Sequence, residues 1–174
     1  MYGMKKSNLC LLPHDNEWKN DFENEKNRIY AAAQEISILI EHVGSTSIPT
    51  VHAKPILDIA ILCDSDDLVC LSLTIEKLGY EYRGNYEEQD SHFYAVLDRL
   101  GIRYCQLHIY TEASEDWQCK LKSRDVLRVN EDLAIEYNEY KLGLAKRTIT
   151  KGEYAQIKSV WLDEFMNKVM TDNA

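Results

Sequence analysis

The chain has 174 residues, 45% hydrophobic and 28% charged, with 7 Gly and 3 Pro, an ordinary globular composition that excludes disordered, collagen-like and low-complexity classes. Its 20 Lys and Arg against 29 Asp and Glu give a net charge of −9, which repels polyanions and argues against nucleic acid as a partner. The length predicts a single domain, 1–174, burying on the order of 70% of its unfolded surface. The five cysteines, Cys10, Cys63, Cys70, Cys105 and Cys119, are odd in number and form no CxxC. They read as reduced thiols packed as small hydrophobes, which predicts a cytoplasmic protein. Lys5 and Lys6 precede no apolar run and no window is long enough to span a bilayer, so neither a cleaved leader nor a membrane anchor is expected.

Asp15 or Asn16 can cap a first helix that carries Trp18, Phe22, Ile29 and Ala33 on one face. Ile36 to Val43 is short, apolar and β-branched and predicts a buried strand. A polar turn, Gly44-Ser45-Thr46-Ser47, leads on toward Pro55 to Cys63, which reads as a central strand covered on both faces. Ser65 with Asp66 and Asp67 predicts the cap of a helix bearing Leu68, Leu71, Ile75 and Leu78, ended by Gly79. Tyr80 to Arg83, His92 to Asp98 and Ile102 to Thr111 predict further strands. From Ser114 the pattern is helical. Asn130 caps a helix with Leu133, Tyr137, Tyr140 and Leu144 inward, and Ile157, Trp161, Phe165 and Val169 mark a last one.

The segment that carries chemistry runs from His42 through Gly44-Ser45-Thr46-Ser47 to Asp58. A Gly-Ser turn leaving a strand can offer N–H groups and hydroxyls to a phosphate; the same residues also serve as an ordinary strand-ending turn. Asp58 lies in an otherwise apolar strand, where its carboxylate needs a cation: a divalent metal, or an ion pair such as one with Lys54. Lys54 can equally reach a phosphate. Arg83, Arg103, Arg124 and Arg128 suit phosphates bidentately or pair with the many acids, and Arg124 and Arg128 share a face if helical.

These residues resemble the GrpB-like family of the nucleotidyltransferase superfamily. The resemblance spans nearly the whole chain. It rests on the Pro13-His14-Asp15-Asn16-Glu17-Trp18 entry, on His42-Val43-Gly44-Ser45-Thr46-Ser47-Ile48-Pro49 followed by Lys54-Pro55-Ile56-Leu57-Asp58-Ile59, and on Leu107-His108-Ile109. It continues in Arg124-Asp125-x-Leu127-Arg128, Tyr137, Lys141 and Tyr154...Lys158. The resemblance implies an α/β (α+β) nucleotidyltransferase-like mixed sheet flanked by helices, with a helical C-terminal part. It implies phosphate binding by the Gly-Ser turn and a metal at Asp58.

Two departures stand out. The superfamily's second acid, two residues on from the first, is Ala60 here, and the neighbouring strand offers Gln106 and His108 instead of a third. Thr50-Val51 stands where the family usually has Gly-Leu. The expected function is metal-dependent transfer of a nucleotidyl group from an NTP to a small acceptor, with Asp58 and His108 catalytic and His108 near the acceptor. Gly44, Ser45, Thr46, Lys54, Arg124 and Arg128 would hold phosphates, with Mg²⁺ or Mn²⁺ on Asp58. The missing acids leave a silent binder of a nucleotide or phosphorylated metabolite as an alternative. A second alternative is a phosphohydrolase whose metal, Zn²⁺ included, is held by His42, Asp58 and His108.

Overall fold

The predicted elements form in the predicted order in the computed structural model, which describes residues 3–5, 9–85, 92–147 and 150–172; Lys6 lies outside them. Strand β1 (Met4–Lys5) precedes helix α1 (Glu17–Ala32). The Asp15 carboxylate accepts the Glu17 N–H at 3.0 Å, and Trp18, Phe22 and Ile29 are buried at the predicted spacing. Glu25 falls on the same stripe and is buried because both Tyr80 Oη and Arg28 donate to it. Strand β2 (Ile38–Val43) leads through a 3-10 turn at Ser45–Ser47 and an extended loop to β3 (Leu57–Cys63).

Helix α2 (Leu68–Lys77) follows a second 3-10 turn, Ser65–Asp67. Here the start differs from expectation. Ser65 lies inside the turn, Asp64 holds the cap position, and no side chain caps either helix start; the tight turn itself takes up the leading N–H groups. Strands β4 (Glu81–Asn85), β5 (His92–Arg99) and β6 (Ile102–Tyr110) come next, then α3 (Glu115–Val129), α4 (Glu131–Ala145) and α5 (Lys151–Asp172). Ser114 Oγ accepts the Trp117 N–H at 3.4 Å and Asn130 Oδ1 the Leu133 N–H at 3.1 Å, each capping its helix as the N-cap rule expects.

The sheet runs β2-β3-β6-β5-β4, with β1 added to β6. Only the β3–β6 pair is parallel, so the sheet is mixed and β3 is internal, as its sequence suggested. Register fixes which side chains share a face. Val43 pairs with Asp58, Asp58 with Gln106 and Ala60 with His108, and strand alternation sends these to one side. Ile40, Leu57, Ile59, Ile61, Leu107 and Ile109 point to the other, into a core with Trp18, Phe22 and Ile29 of α1 and Leu71 and Ile75 of α2.

On the Asp58 side, Val43, Ala60 and Tyr110 pack on Trp117 of α3. A third cluster joins Ile48 and Val51 of the loop after the Gly-Ser turn to Leu127, Ala134, Tyr137 and Phe165 of α3, α4 and α5. The helical C-terminal part therefore sits over the turn. Of the five free cysteines, Cys63 and Cys105 are buried as expected, while Cys10, Cys70 and Cys119 are exposed. Among the described residues no helix is long and apolar enough to cross a membrane.

Candidate functional site

The site is built on one close approach. Gly44 ends β2 with φ +68°, and a Cβ placed on it would lie 2.5 Å from Asp58 Oδ2 and 2.9 Å from Asp58 Cβ. Both the backbone angle and the space therefore call for glycine. The turn beyond closes on itself, with the Ser47 N–H and Oγ–H both donating to the Gly44 carbonyl, at 3.1 and 2.6 Å. Asp58, half-buried, accepts from Gln106 Nε2 at 2.7 Å through its other oxygen. Gln106 is oriented from behind by Arg103, which donates to its Oε1 at 3.4 Å and grips Asp98 with two hydrogen bonds of 2.9 and 3.1 Å. The amide NH₂ of Gln106 is thus the end that faces Asp58.

The helices bring hydroxyls and lysines to this turn. Ser45 Oγ and Tyr137 Oη lie 3.1 Å apart. Lys141, one turn further along α4, is fully buried, sits 4.9 Å from the Tyr137 ring and donates to the His52 carbonyl. Burial, then the charges of Lys158 and Lys54, hold Lys141 well below the usual lysine range, with Asp58 pulling the other way. Lys158 of α5 is shifted up by Tyr137 and, against the cost of its burial, by Asp58. Lys54 lies over the Tyr154 ring, 4.7 Å from its centre. Its charge is felt at Lys141, so it belongs with the lysines around Tyr137 and Tyr154.

His108 stands beside Ala60 on the Asp58 side, with its Nδ1 3.0 Å from His92 Nε2. Asp116 Oδ2 lies 3.4 Å from His92 Nδ1 and accepts from Tyr110 Oη at 2.6 Å. Burial, then Lys120, His92 and Lys158, push His108 well below the ordinary histidine value. Burial and Lys120 bring His92 down to about 4 against the pull of Asp116. Both rings are neutral at pH 7.

The remaining predicted residues go elsewhere. His42 pairs with Ile59, not Asp58, and therefore points to the opposite face, stacked 4.6 Å over Phe22 and 2.9 Å from Thr46 Oγ1. The set His42, Asp58 and His108 is not gathered, and no cluster of three His, Cys, Asp or Glu suited to a metal exists among the described residues. Arg124 and Arg128 do share a face of α3. Arg124 binds Glu41 at 2.6 Å, the His42 carbonyl at 3.2 Å and Asp125 at 2.7 Å, and Arg128 donates to the Ser47 carbonyl at 2.8 Å. Both brace the end of β2 and the turn from α3. Arg83 pairs with exposed Glu81 at 2.8 Å, the ordinary ion-pair reading of that residue.

The GrpB protein family matches residues 8–168. The chain belongs to the GrpB family. A UPF0157 protein of Halalkalibacterium halodurans is 30% identical over 164 residues, covering 93% of this chain and 83% of its own. The crystal structure of the conserved protein GrpB from Enterococcus faecalis superposes with a TM-score of 0.82 at 24% identity, over 94% of this chain and 99% of that one. A structure of the Cid1 poly(U) polymerase bound to MgATP superposes with a TM-score of 0.54 at 14% identity, over 77% of this chain and 43% of that one. The fold is thus a GrpB-like fold of nucleotidyltransferase type, as the signature residues implied.

Within that fold, sequence reasoning missed Gln106 as the Asp58 partner, Tyr137 as the Ser45 partner, and Lys141 and Lys158 as neighbours of the site. A signal was present in the last three. Lys141 follows Tyr137 by four residues and Lys158 follows Tyr154 by four, so each lysine shares the inward helical stripe of a tyrosine, where an amine has no reason to sit unless it has work there.

Proposed function

We propose that the Asp58 face binds the phosphate chain of a nucleoside triphosphate together with one Mg²⁺ or Mn²⁺ ion, and that it serves nucleotidyl transfer to a small acceptor. The observation that carries this reading is the contact of Gly44 with Asp58. An anion laid against the turn's N–H groups and the Ser45 hydroxyl comes up beside a carboxylate, an arrangement stable only with a cation between them. Lys54, Lys141 and Lys158 supply positive charge from the helical side, and a phosphate chain there would draw Lys141 toward its charged form. Asp58 is a hard oxygen donor that fits Mg²⁺ or Mn²⁺, but as a single carboxylate it fits one ion whose other ligands are phosphate and water. When bound, that ion neutralises charge on the phosphates. His108 is on the same side, and it would take a proton from an acceptor hydroxyl only with the bound phosphates offsetting the burial and nearby cations that lower its basicity.

A silent nucleotide or phosphorylated-metabolite binder is the second reading. It is favoured by Ala60 and Gln106, which occupy positions where a transferase of this superfamily is expected to carry acids. Zn²⁺ and the phosphohydrolase reading draw less support, since His42 stands on the face opposite Asp58.

The test is a melting-temperature series on metal-stripped protein with each NTP, with and without Mg²⁺ or Mn²⁺, repeated with Asp58→Asn. Stabilisation that needs both nucleotide and metal and disappears in Asp58→Asn supports the site; a shift unchanged in the variant sinks it. Pyrophosphate release over an acceptor panel then separates transfer from silent binding.

A further inference from the structure

A separate cavity of about 570 Å³ lies at the outer edge of β2, between α1 and α3. None of Gly44, Ser45 or Asp58 lines it; it opens on the other side of the Gly-Ser turn. Its volume falls in the range of small-molecule sites. Phe22, Ile40 and the ring of His42 provide apolar wall, and Thr46 provides a hydroxyl. The charged groups are Lys19, Lys26, Arg124 and Arg128 against Glu23 and Glu41.

By formal charge the lining holds four cations against two acids, and the pairing within it decides which cations remain for a ligand. Glu41 is consumed by Arg124 at 2.6 Å, and Asp125, just outside the lining, is likewise held by Arg124 at 2.7 Å. Arg128 is left with Asp125 only at 4.0 Å. Its Nε is spent on the Ser47 carbonyl, and the two terminal nitrogens of a guanidinium form a fork suited to an oxyanion. Lys19 and Lys26 come from the opposite wall on α1, with Lys19 exposed and Lys26 resting 5.7 Å from the Phe22 ring.

The field these groups set up is felt by their neighbours. His42 is brought down to about 3 by burial, then by Arg128, Arg124 and His14. Arg128 itself is shifted down by burial and Arg124 against the pull of Asp125 and Glu41, whereas Arg28, Arg103 and Arg124, each with a close carboxylate, are shifted up. In a chain with a net charge of −9, a concave, under-neutralised cationic spot with an apolar wall is a local exception that calls for an anion.

We propose that this cavity is a second ligand site, taking the phosphate group of a small phosphorylated metabolite between Arg128 on one wall and Lys19 and Lys26 on the other, with the organic part against Phe22 and His42. Binding there needs no divalent metal, which sets it apart from the Asp58 face. The ligand's anion adds to the distant counter-charge that Arg128 has from Asp125 at 4.0 Å, and the size of the cavity leaves room for a body beyond the phosphate itself.

The experiment is calorimetry at low ionic strength in the presence of EDTA, with inorganic phosphate and phenyl phosphate as probes and benzoate as the carboxylate control. The expected result is phosphate binding that weakens with salt, with phenyl phosphate tighter than phosphate and benzoate weaker than either. The Lys19→Ala/Lys26→Ala variant, whose substitutions are on the helix surface, should weaken phenyl phosphate about tenfold without lowering the melting temperature. Asp58→Asn should bind it as the parent chain does. The proposal is overturned if no heat is seen up to about 10 mM probe, a Kd worth only a few kcal/mol. It is equally overturned if benzoate matches phenyl phosphate, if the double lysine variant binds unchanged, or if Asp58→Asn abolishes binding. Because the nucleotide reading requires metal and Asp58 while this one requires neither, each can fail alone.

Discussion

Replacing Gly44 by Ala puts a number on the contact that defines the site. Two costs add. A non-glycine residue at φ +68° and ψ −173°, a region open essentially to glycine alone, carries strain of about 1–3 kcal/mol. The new methyl would also lie 2.5 Å from Asp58 Oδ2, so the carboxylate must turn away and give up its 2.7 Å hydrogen bond from Gln106, about 1.5–3 kcal/mol for a bond to a charged acceptor. Gly44→Ala should therefore cost roughly 2.5–6 kcal/mol, and at about 2–4 °C per kcal/mol for a chain of this size the melting temperature should fall by roughly 5–24 °C. A double-mutant cycle separates the two terms. Asp58→Gly removes the Oδ2, Cγ and Cβ atoms within 3.0 Å of the added methyl, so in that background Gly44→Ala should cost only the backbone strain, about 1–3 kcal/mol. The expected coupling is thus about 1.5–3 kcal/mol, read from denaturant or thermal unfolding of four proteins. Equal costs in both backgrounds, within about 0.5 kcal/mol, would refute the close approach and with it the cradle built upon it.

Thr50 holds φ +68°, a conformation that a β-branched residue adopts only under strain; Thr50→Gly should raise stability by about 1 kcal/mol and the melting temperature by about 2–4 °C. Glu25→Ala should cost about 2–4 kcal/mol, because it strands the buried Tyr80 hydroxyl that donates to it; adding Tyr80→Phe should return part of that loss in chemical denaturation. Stability should fall on acidification from about pH 6.5 towards pH 4. His42 and His92, lowered to about 3 and about 4, stay neutral in the folded chain while the unfolded chain takes up protons, and each adds a slope of at most about 1.4 kcal/mol per pH unit. His42→Gln should flatten the curve of melting temperature against pH in that window, and an unchanged slope would show that His42 does not contribute.

The strands and helices were legible because their apolar residues repeat at periods of two and three to four along the chain, and each predicted run forms the predicted element. The arrangement around Asp58 was legible only in part. Alternation separates His42 from Val43 but does not tell which of them faces Asp58; that is decided by the β2–β3 register, in which Val43 pairs with Asp58, and a shift of one residue would have reversed it. Arg124 and Arg128 were correctly placed on one helical face. Their targets, Glu41 and the Ser47 carbonyl, lie about eighty residues away, and no local pattern encodes them. Lys141 reads as an interruption in an apolar stripe. Its reason is the His52 carbonyl to which it donates, a buried acceptor that exists only once α4 is packed on the loop after the turn.

The Gly-Ser turn is held from three directions, and this bears on what it can do. Ser47 closes it internally onto the Gly44 carbonyl, Arg128 of α3 takes the Ser47 carbonyl, and Tyr137 of α4 meets the Ser45 hydroxyl. A turn serving only to reverse the chain needs the first of these. The other two come from α3 and α4, which spend a guanidinium and a phenol on polar atoms that water could have satisfied. Their effect is to fix the turn before any ligand arrives, which lowers the ordering cost of binding. They also make the turn common to both proposed sites: a phosphate drawn to Arg128 pulls on the Ser47 carbonyl, one residue beyond the hydroxyl of Thr46 and three from Gly44. If both sites bind, their affinities must then be coupled to the same extent in either direction. Titrating nucleotide with Mg²⁺ at zero and at saturating phenyl phosphate measures that coupling, and equal nucleotide affinities in the two series would mean that the turn is rigid enough to insulate one side from the other.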